Sequence, residues 1–109
     1  MNNKKPLETL QEAIEEGLSL LGESGKKSII FHIEKNFKIR MEEAPYKIQE
    51  FVNALRKIFG PGARYIEQAI CKNLYKKTGL KIDNPENFDL VRIVEELKNQ
   101  KEAPINNEQ

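Results

Sequence analysis

Few side chains in this chain of 109 residues could act as a nucleophile, a base or a soft metal ligand. His32 is the only histidine and Cys71 is the only cysteine. One histidine excludes sites that need two, such as zinc-protease and di-iron arrangements. We interpret His32 as a partly exposed structural residue beside an apolar stripe. We interpret Cys71 as a small packing residue, because it lies mid-helix, away from a helix N-terminus that would activate a thiol.

The remaining polar motifs also have plain structural interpretations. The segment Gly60–Gly62 stands where a helix begins and could face an anion there. It lacks the Lys-Ser/Thr ending of a phosphate-binding loop and follows no strand, so we predict a tight turn. The carboxylates are spaced as a solvated surface and resemble no calcium loop; they are Glu12, Glu15, Glu16, Glu42, Glu43, Glu95 and Glu96. We therefore expect no enzyme, no catalytic residue, no cofactor and no metal.

Basic residues gather in the middle of the chain and suggest an alternative function. Two predicted helices around the Gly-Pro-Gly turn can be interpreted as a helix-turn-helix that binds DNA. Its candidate nucleic-acid residues are Lys26, Lys27, Arg56, Lys57, Arg64, Lys72 and Lys76. Against this stand the formal net charge of only +1 and a proline inside the turn. Glu67 and Gln68 are also expected beside the cations, so DNA binding is not the favoured function.

The elements that must position these residues are helices. Apolar residues recur at three- and four-residue spacing, between proline or cap residues at the starts and glycines at the ends. The pattern predicts an all-α fold, a compact bundle of five helices with short Gly/Pro turns. Two strands cannot be found, so a sheet is not expected. The predicted helices begin at Pro6, about Gly25, Pro45 and Pro61, and the fifth begins at Pro85 after its cap Asn84.

The third predicted helix has the widest apolar face and is expected to be central, with the fourth packed against it. The first ends at Gly22 and Ser24 caps the second, while Gly60 and Gly79 close the third and fourth. Between the second and third, residues 38–41 break the helical period. We expect them to be extended, with Ile39 and Met41 turned inward.

Length and composition indicate one domain. Residues 1–99 are expected to form a single helical domain, followed by a disordered polar tail over 100–109. No stretch approaches the roughly 20 apolar residues of a membrane span, and the N-terminus lacks a signal-peptide pattern. With one cysteine and no disulfide, we expect a cytoplasmic protein without membrane association.

The first helix carries a narrow stripe of large aliphatic side chains. Such a stripe ordinarily faces the core of a bundle, but it could also form a helix–helix seam with a partner. We take it as the candidate interaction surface; its residues are Leu7, Leu10, Ile14, Leu18 and Leu21. A homodimer is the expected partner arrangement, because symmetric pairs are the commonest oligomers.

Four segments resemble a small archaeal helical family, the output domain of the Nitrososphaera type. The resemblance spans roughly residues 7–80. Its most specific part is the order of three short motifs along the chain: Leu21-Gly22, Ile29-x-x-His32 and Phe59-Gly60-x-Gly62-Ala63. Its segments are residues 19–24, 29–34, 51–63 and 66–75. The resemblance implies an all-helical fold and a role in signal output or transcription control, and it supplies no catalytic residues. Together with the stripe, it favours a non-enzymatic protein-interaction module in archaeal signalling or transcription regulation.

Overall fold

The computed structural model describes residues 6–79 and 89–102. Within these two ranges 94% of the residues are helical and none belongs to a strand. The predicted all-α fold is therefore confirmed for this part of the chain.

Helical structure in the described ranges forms three uninterrupted stretches, over residues 6–37, 41–78 and 90–102. This corrects the expectation of five separate helices. The first stretch contains α1 (Pro6–Leu18) and α2 (Gly22–Phe37), the second contains α3 (Ile48–Phe59) and α4 (Ala63–Thr78), and the third is α5 (Leu90–Glu102). Short 3-10 segments, Ser19–Leu21, Met41–Lys47 and Gly60–Gly62, join or precede the α-helices. Two of the predicted turns thus contain short 3-10 segments that link consecutive α-helices without a non-helical gap.

Several boundaries differ from the sequence prediction. α2 begins at Gly22, before the expected cap Ser24, and its start has no side-chain cap. Pro45 lies inside a 3-10 segment, and α4 starts two residues after Pro61. At Gly60 the backbone has φ +57°, and at Gly79 φ +80°. The predicted helix ends at Gly60 and Gly79 are confirmed, since such φ values favour a residue without Cβ.

α5 is capped by a residue that the sequence analysis did not choose. Asp89 Oδ1 accepts hydrogen bonds from the backbone N–H groups of Val91 at 3.1 Å and Arg92 at 3.4 Å. The expected cap at Asn84 and the expected start at Pro85 lie outside the described residues. At the other end α5 continues to Glu102, so residues 100–102 of the predicted tail are helical. Residues 103–109 of that predicted tail are also outside the described ranges.

The link between α2 and α3 is only partly as predicted: Ile39 and Met41 turn inward, but residues 38–41 are not extended throughout, since Lys38 is left-handed and Met41 begins a 3-10 segment. Lys38 has φ +61°, and its N–H donates to the carbonyl oxygen of Glu34 at 3.1 Å. After this left-handed residue the chain is non-helical until Met41. Ile39 is 3% exposed and Met41 is 8% exposed, so both side chains enter the core.

The most extensive contact between two helices joins α1 to α4. This corrects the expectation that α3 is central, because α3 makes only small contacts with each of its neighbours. The cause is a close approach at Gly17. A Cβ at this position would lie 2.5 Å from Ile70 Cγ1 and 3.0 Å from the Ile70 backbone nitrogen. Only a residue without a side chain allows the two backbones to come this close.

We predict that Gly17→Ala lowers the free energy of unfolding by about 1–3 kcal/mol. The added methyl must displace the backbone of α4, and this cost exceeds the roughly 1 kcal/mol that alanine gains over glycine in helix propensity. Urea denaturation measures the change. Gly62→Ala is the control, because its Cβ would meet nothing closer than 3.8 Å. Equal stabilities of the two variants would contradict the close-approach argument.

Candidate functional site

The leucine stripe of α1 lies in the protein's own core. Leu10, Ile14 and Leu18 are fully buried, while Leu7 and Leu21 are half-buried against the same cluster. The ordinary, core-facing interpretation of this stripe is therefore confirmed. Leu10, Ile14 and Leu18 are therefore not available to a partner in the folded chain, whereas the half-buried Leu21 also lines a surface groove at the start of α2.

The apolar surface that remains exposed lies elsewhere. Leu20 is 63% exposed, and Phe31, on α2, is 64% exposed. α2 contributes only Ile29 and Ile33 to the buried residues, although it is 16 residues long. It contacts α3 over a short region, and much of its surface faces outward.

An apolar groove of about 330 Å³ runs beside α2. One wall comes from the start of α2 and the turn before it, and the other from the end of α3. We call this set the apolar groove; its residues are Leu21, Gly25, Ser28, Ile29, His32, Ile58 and Phe59. Phe31 follows Ser28 by three positions along α2 but does not line the groove itself. The same helix thus presents an aromatic side chain and an apolar depression side by side.

His32 does not form a catalytic pair in the structure. Its Nδ1 lies 3.1 Å from Asn36 Nδ2, and its ring centroid is 6.1 Å from that of Phe37. The residue is exposed rather than partly exposed as expected. Its contacts are those of a helix-surface side chain beside the apolar groove.

A second concavity, at the far end of α2, has a different chemistry. Its volume is also about 330 Å³. Apolar side chains form its floor, and three lysines stand around it with one glutamate. We call it the lysine pocket; its residues are Phe37, Lys38, Ile39, Lys47, Glu50, Asn53, Ala54 and Lys57. The sequence analysis counted Lys57 among possible nucleic-acid contacts but did not foresee this pocket, because residues from two helices must meet to form it.

An ion pair between an exposed arginine and a buried glutamate joins α3 to α4. Arg56 Nε donates to Glu67 Oε2 at 3.0 Å, and Arg56 Nη2 donates to Glu67 Oε1 at 3.1 Å. The carboxylate of Glu67 is 2% exposed, whereas the Arg56 side chain is 54% exposed. The hydrogen bond to Glu67 raises the pKa of Arg56. The two residues line a third concavity, of about 460 Å³, together with Arg64.

Glu67, which was expected beside the cations of a possible DNA-binding helix, is buried. Glu67 follows the buried Ala63 by four positions and precedes the buried Cys71 by four, so it shares their face of α4. The helical period therefore contained the signal for its burial. What the sequence could not supply is the partner, since Arg56 belongs to another helix.

We predict that Arg56→Met lowers the free energy of unfolding by about 1–3 kcal/mol, because it leaves a buried carboxylate without its charged donor. Chemical denaturation at neutral pH measures the loss. Lys72→Met is the matched control, since Lys72 is exposed on α4. If both variants lose the same stability, the ion pair contributes nothing specific.

Cys71 is a fully buried packing residue, as its mid-helix position indicated. Burial raises the pKa of its thiol to about 12, and the negative charge of Glu67 adds to that effect. The thiol is therefore protonated at neutral pH and is a poor nucleophile.

We predict that Cys71 in the folded protein does not react with an aromatic disulfide reagent at about pH 8, where an unperturbed thiol with a pKa of roughly 8.5 would react readily. Full reaction of one thiol per chain is expected once denaturant unfolds the protein. Absorbance of the released thiolate measures both states. Rapid reaction of the folded protein would contradict the burial argument.

The candidate nucleic-acid residues lie on α2, α3 and α4, and Arg56 and Arg64 line the same third concavity. Lys27 lies 3.9 Å from Glu23, and Arg56 is bound to Glu67. Lys57 lines the lysine pocket, whereas Arg64 lines the third concavity. The others are distributed between two helices: Lys26 is half-buried on α2, and Lys72 and Lys76 are exposed on α4.

The carboxylates of α1 bind a cation of α4 instead of standing alone in solvent. Lys77 Nζ lies 3.1 Å from Glu16 Oε2 and 3.5 Å from Glu12 Oε1. The hydrogen bond to Glu16 is the main reason that the pKa of Lys77 is raised. In the part of the chain that the structure describes, no three His, Cys, Asp or Glu side chains are grouped to hold a metal ion. No helix in that part is long and apolar enough to cross a membrane.

Comparison with known proteins gives no relative: no family model, no curated protein and no solved structure matches the chain.

Proposed function

We propose that this chain is a non-enzymatic protein-interaction module that forms a homodimer through α2. The observation that carries the proposal is the exposed Phe31 beside the apolar groove on the same helix. In a symmetric pair, Phe31 of each copy enters the groove of the other. A two-fold interface requires such a self-complementary surface.

The chemistry of the surface supports this arrangement. Ile58 and Phe59 are half-buried, so a partner side chain can complete their burial. Phe31 is the type of residue that anchors interfaces, because an aromatic ring buries a large area at a small entropy cost. Its present neighbour is the Lys35 ammonium, 5.8 Å from the ring centroid. A cation–π contact at an exposed site is weak, so its loss when Phe31 docks costs little free energy.

The proposed biological setting follows from the family resemblance of residues 7–80. A homodimeric helical domain without a catalytic site fits an output module in archaeal signalling or transcription regulation. We place it in the cytoplasm as part of the same proposal. Its single cysteine is buried as a thiol and needs no oxidising compartment.

We predict a dimer by light scattering, and we predict that Ser28→Glu converts it to a monomer. The new carboxylate would be buried in the apolar groove without a partner, which is costly. Phe31→Ser should have the same effect by removing the anchor. Ser24→Glu is the matched control, because Ser24 is an exposed serine one turn earlier that does not line the groove. A monomeric wild-type protein, or a dimer that survives both groove variants, would overturn the proposal.

Duplex DNA in the same measurement tests the alternative function. The observation in its favour is the outer face of α4, where Tyr65, Lys72 and Lys76 are exposed. We expect the measured mass at low salt to be unchanged by DNA. A DNA-dependent increase that vanishes at high salt, and with Arg64→Glu combined with Lys72→Glu, would replace the proposed function with DNA binding.

A further inference from the structure

The lysine pocket has the two features of a peptide-binding site: an apolar floor and a charged rim of mainly one sign. Ile39 and Ala54 form the floor and are 3% and 1% exposed, and the half-buried Phe37 lies with them. The volume of about 330 Å³ is at the small end of the range for ligand sites. It suits one or two anchoring side chains better than a large cofactor.

Local sequence explains how the pocket forms. Lys38 adopts the left-handed conformation that turns the chain at the end of α2 and carries Ile39 inward. On the second helical stretch, Lys47, Ala54 and Lys57 recur at spacings of seven and three residues, so they share one face. That face closes the pocket opposite the end of α2.

The charges of the pocket favour an anionic partner. Three lysines and one acidic residue line the pocket, and all four side chains are exposed. They are Lys38, Lys47, Lys57 and Glu50. Lys47 also lies 4.0 Å from Glu43 Oε1. That oxygen already accepts a hydrogen bond from the Arg40 N–H at 3.1 Å, which lowers the pKa of Glu43. Glu43 is thus shared between a backbone group and Lys47.

The geometry points to an acidic peptide segment of a separate protein as the occupant of the lysine pocket. An aliphatic or aromatic side chain of the segment rests on Ile39 and Ala54, while flanking carboxylates meet the lysines. The inference goes beyond the proposed homodimer, because the pocket is lined by none of the residues of the apolar groove. It assigns a second partner to the module, at a surface that dimerisation through Phe31 does not use.

The test uses three short peptides with the same central Leu-Phe pair, flanked by glutamates, by glutamines or by lysines. Fluorescence anisotropy measures affinity, and amide chemical shifts of the full chain locate the site. We expect the glutamate peptide to bind most tightly, with shifts at Lys38, Ala54 and Lys57. Its advantage should shrink in about 1 M salt, where the Debye length is about 3 Å.

Substitutions of the charged residues that line the lysine pocket distinguish an effect of charge on peptide affinity from an effect of unfolding. Exposed charge pairs are worth at most about fivefold in affinity each, so Lys38→Gln with Lys57→Gln should weaken glutamate-peptide binding about three- to tenfold. Glu50→Gln should instead strengthen it about twofold, a gain that damaged folding cannot produce. Lys72→Gln with Lys76→Gln removes the same charge from α4 and should leave the affinity unchanged.

Each other result overturns the inference. Equal binding of the glutamate and glutamine peptides would show no charge recognition, and tighter binding of the lysine peptide would contradict the assigned sign. If inorganic phosphate or duplex DNA at the same total charge displaces the glutamate peptide, the pocket binds anions in general and is not specific for an acidic peptide. If none of the three peptides binds at millimolar concentration, the lysine pocket is not a peptide-binding site. The homodimer is tested separately, because Ser28→Glu should not change peptide affinity.

Discussion

The close approach of α1 and α4 is the constraint from which the rest of the arrangement follows. Ile70 of α4 occupies the space that a side chain at Gly17 of α1 would need. Because Gly17 has none, the two helices can pack closely and make the most extensive helix–helix contact. The side chains of Leu10, Ile14 and Leu18 are fully buried in the core. Lys77 then binds Glu12 and Glu16 across the same helix pair. Such exposed ion pairs contribute little energy, so buried aliphatic area and the fit at Gly17 dominate this interface.

Because the large side chains of the α1 stripe are buried, the exposed large apolar side chains lie elsewhere, and Phe31 of α2 is one of them. Only Ile29 and Ile33 are buried on that helix, and Phe31 and the apolar groove face outward. The lysine pocket lies where α2 ends, at the left-handed Lys38. The least buried helix of the stretch 6–78 thus carries both concavities proposed to bind partners, one apolar and one basic.

The sequence predicted the helical class, the inward turn of Ile39 and Met41, and the packing role of Cys71, because each depends on residues close together in the chain. It misjudged the centre of the bundle, because the importance of Gly17 appears only when Ile70 lies against it. The burial of Glu67 was missed for a related reason. Its helical position indicated burial, but a buried carboxylate is acceptable only beside a donor, and Arg56 comes from α3. The two concavities were beyond sequence reasoning, since each needs side chains from two helices.

Because α2 buries only two of its side chains, it is expected to open more easily than the other helices of the stretch 6–78. A helix with two buried residues loses little apolar contact when it detaches, whereas α1 and α4 can separate only with most of the core. Amide hydrogens of α2 should therefore exchange with solvent through small openings, long before those of α1. A partner that holds α2 in place would suppress these openings, so its binding would be reported by exchange protection along the whole helix, including turns that it never touches.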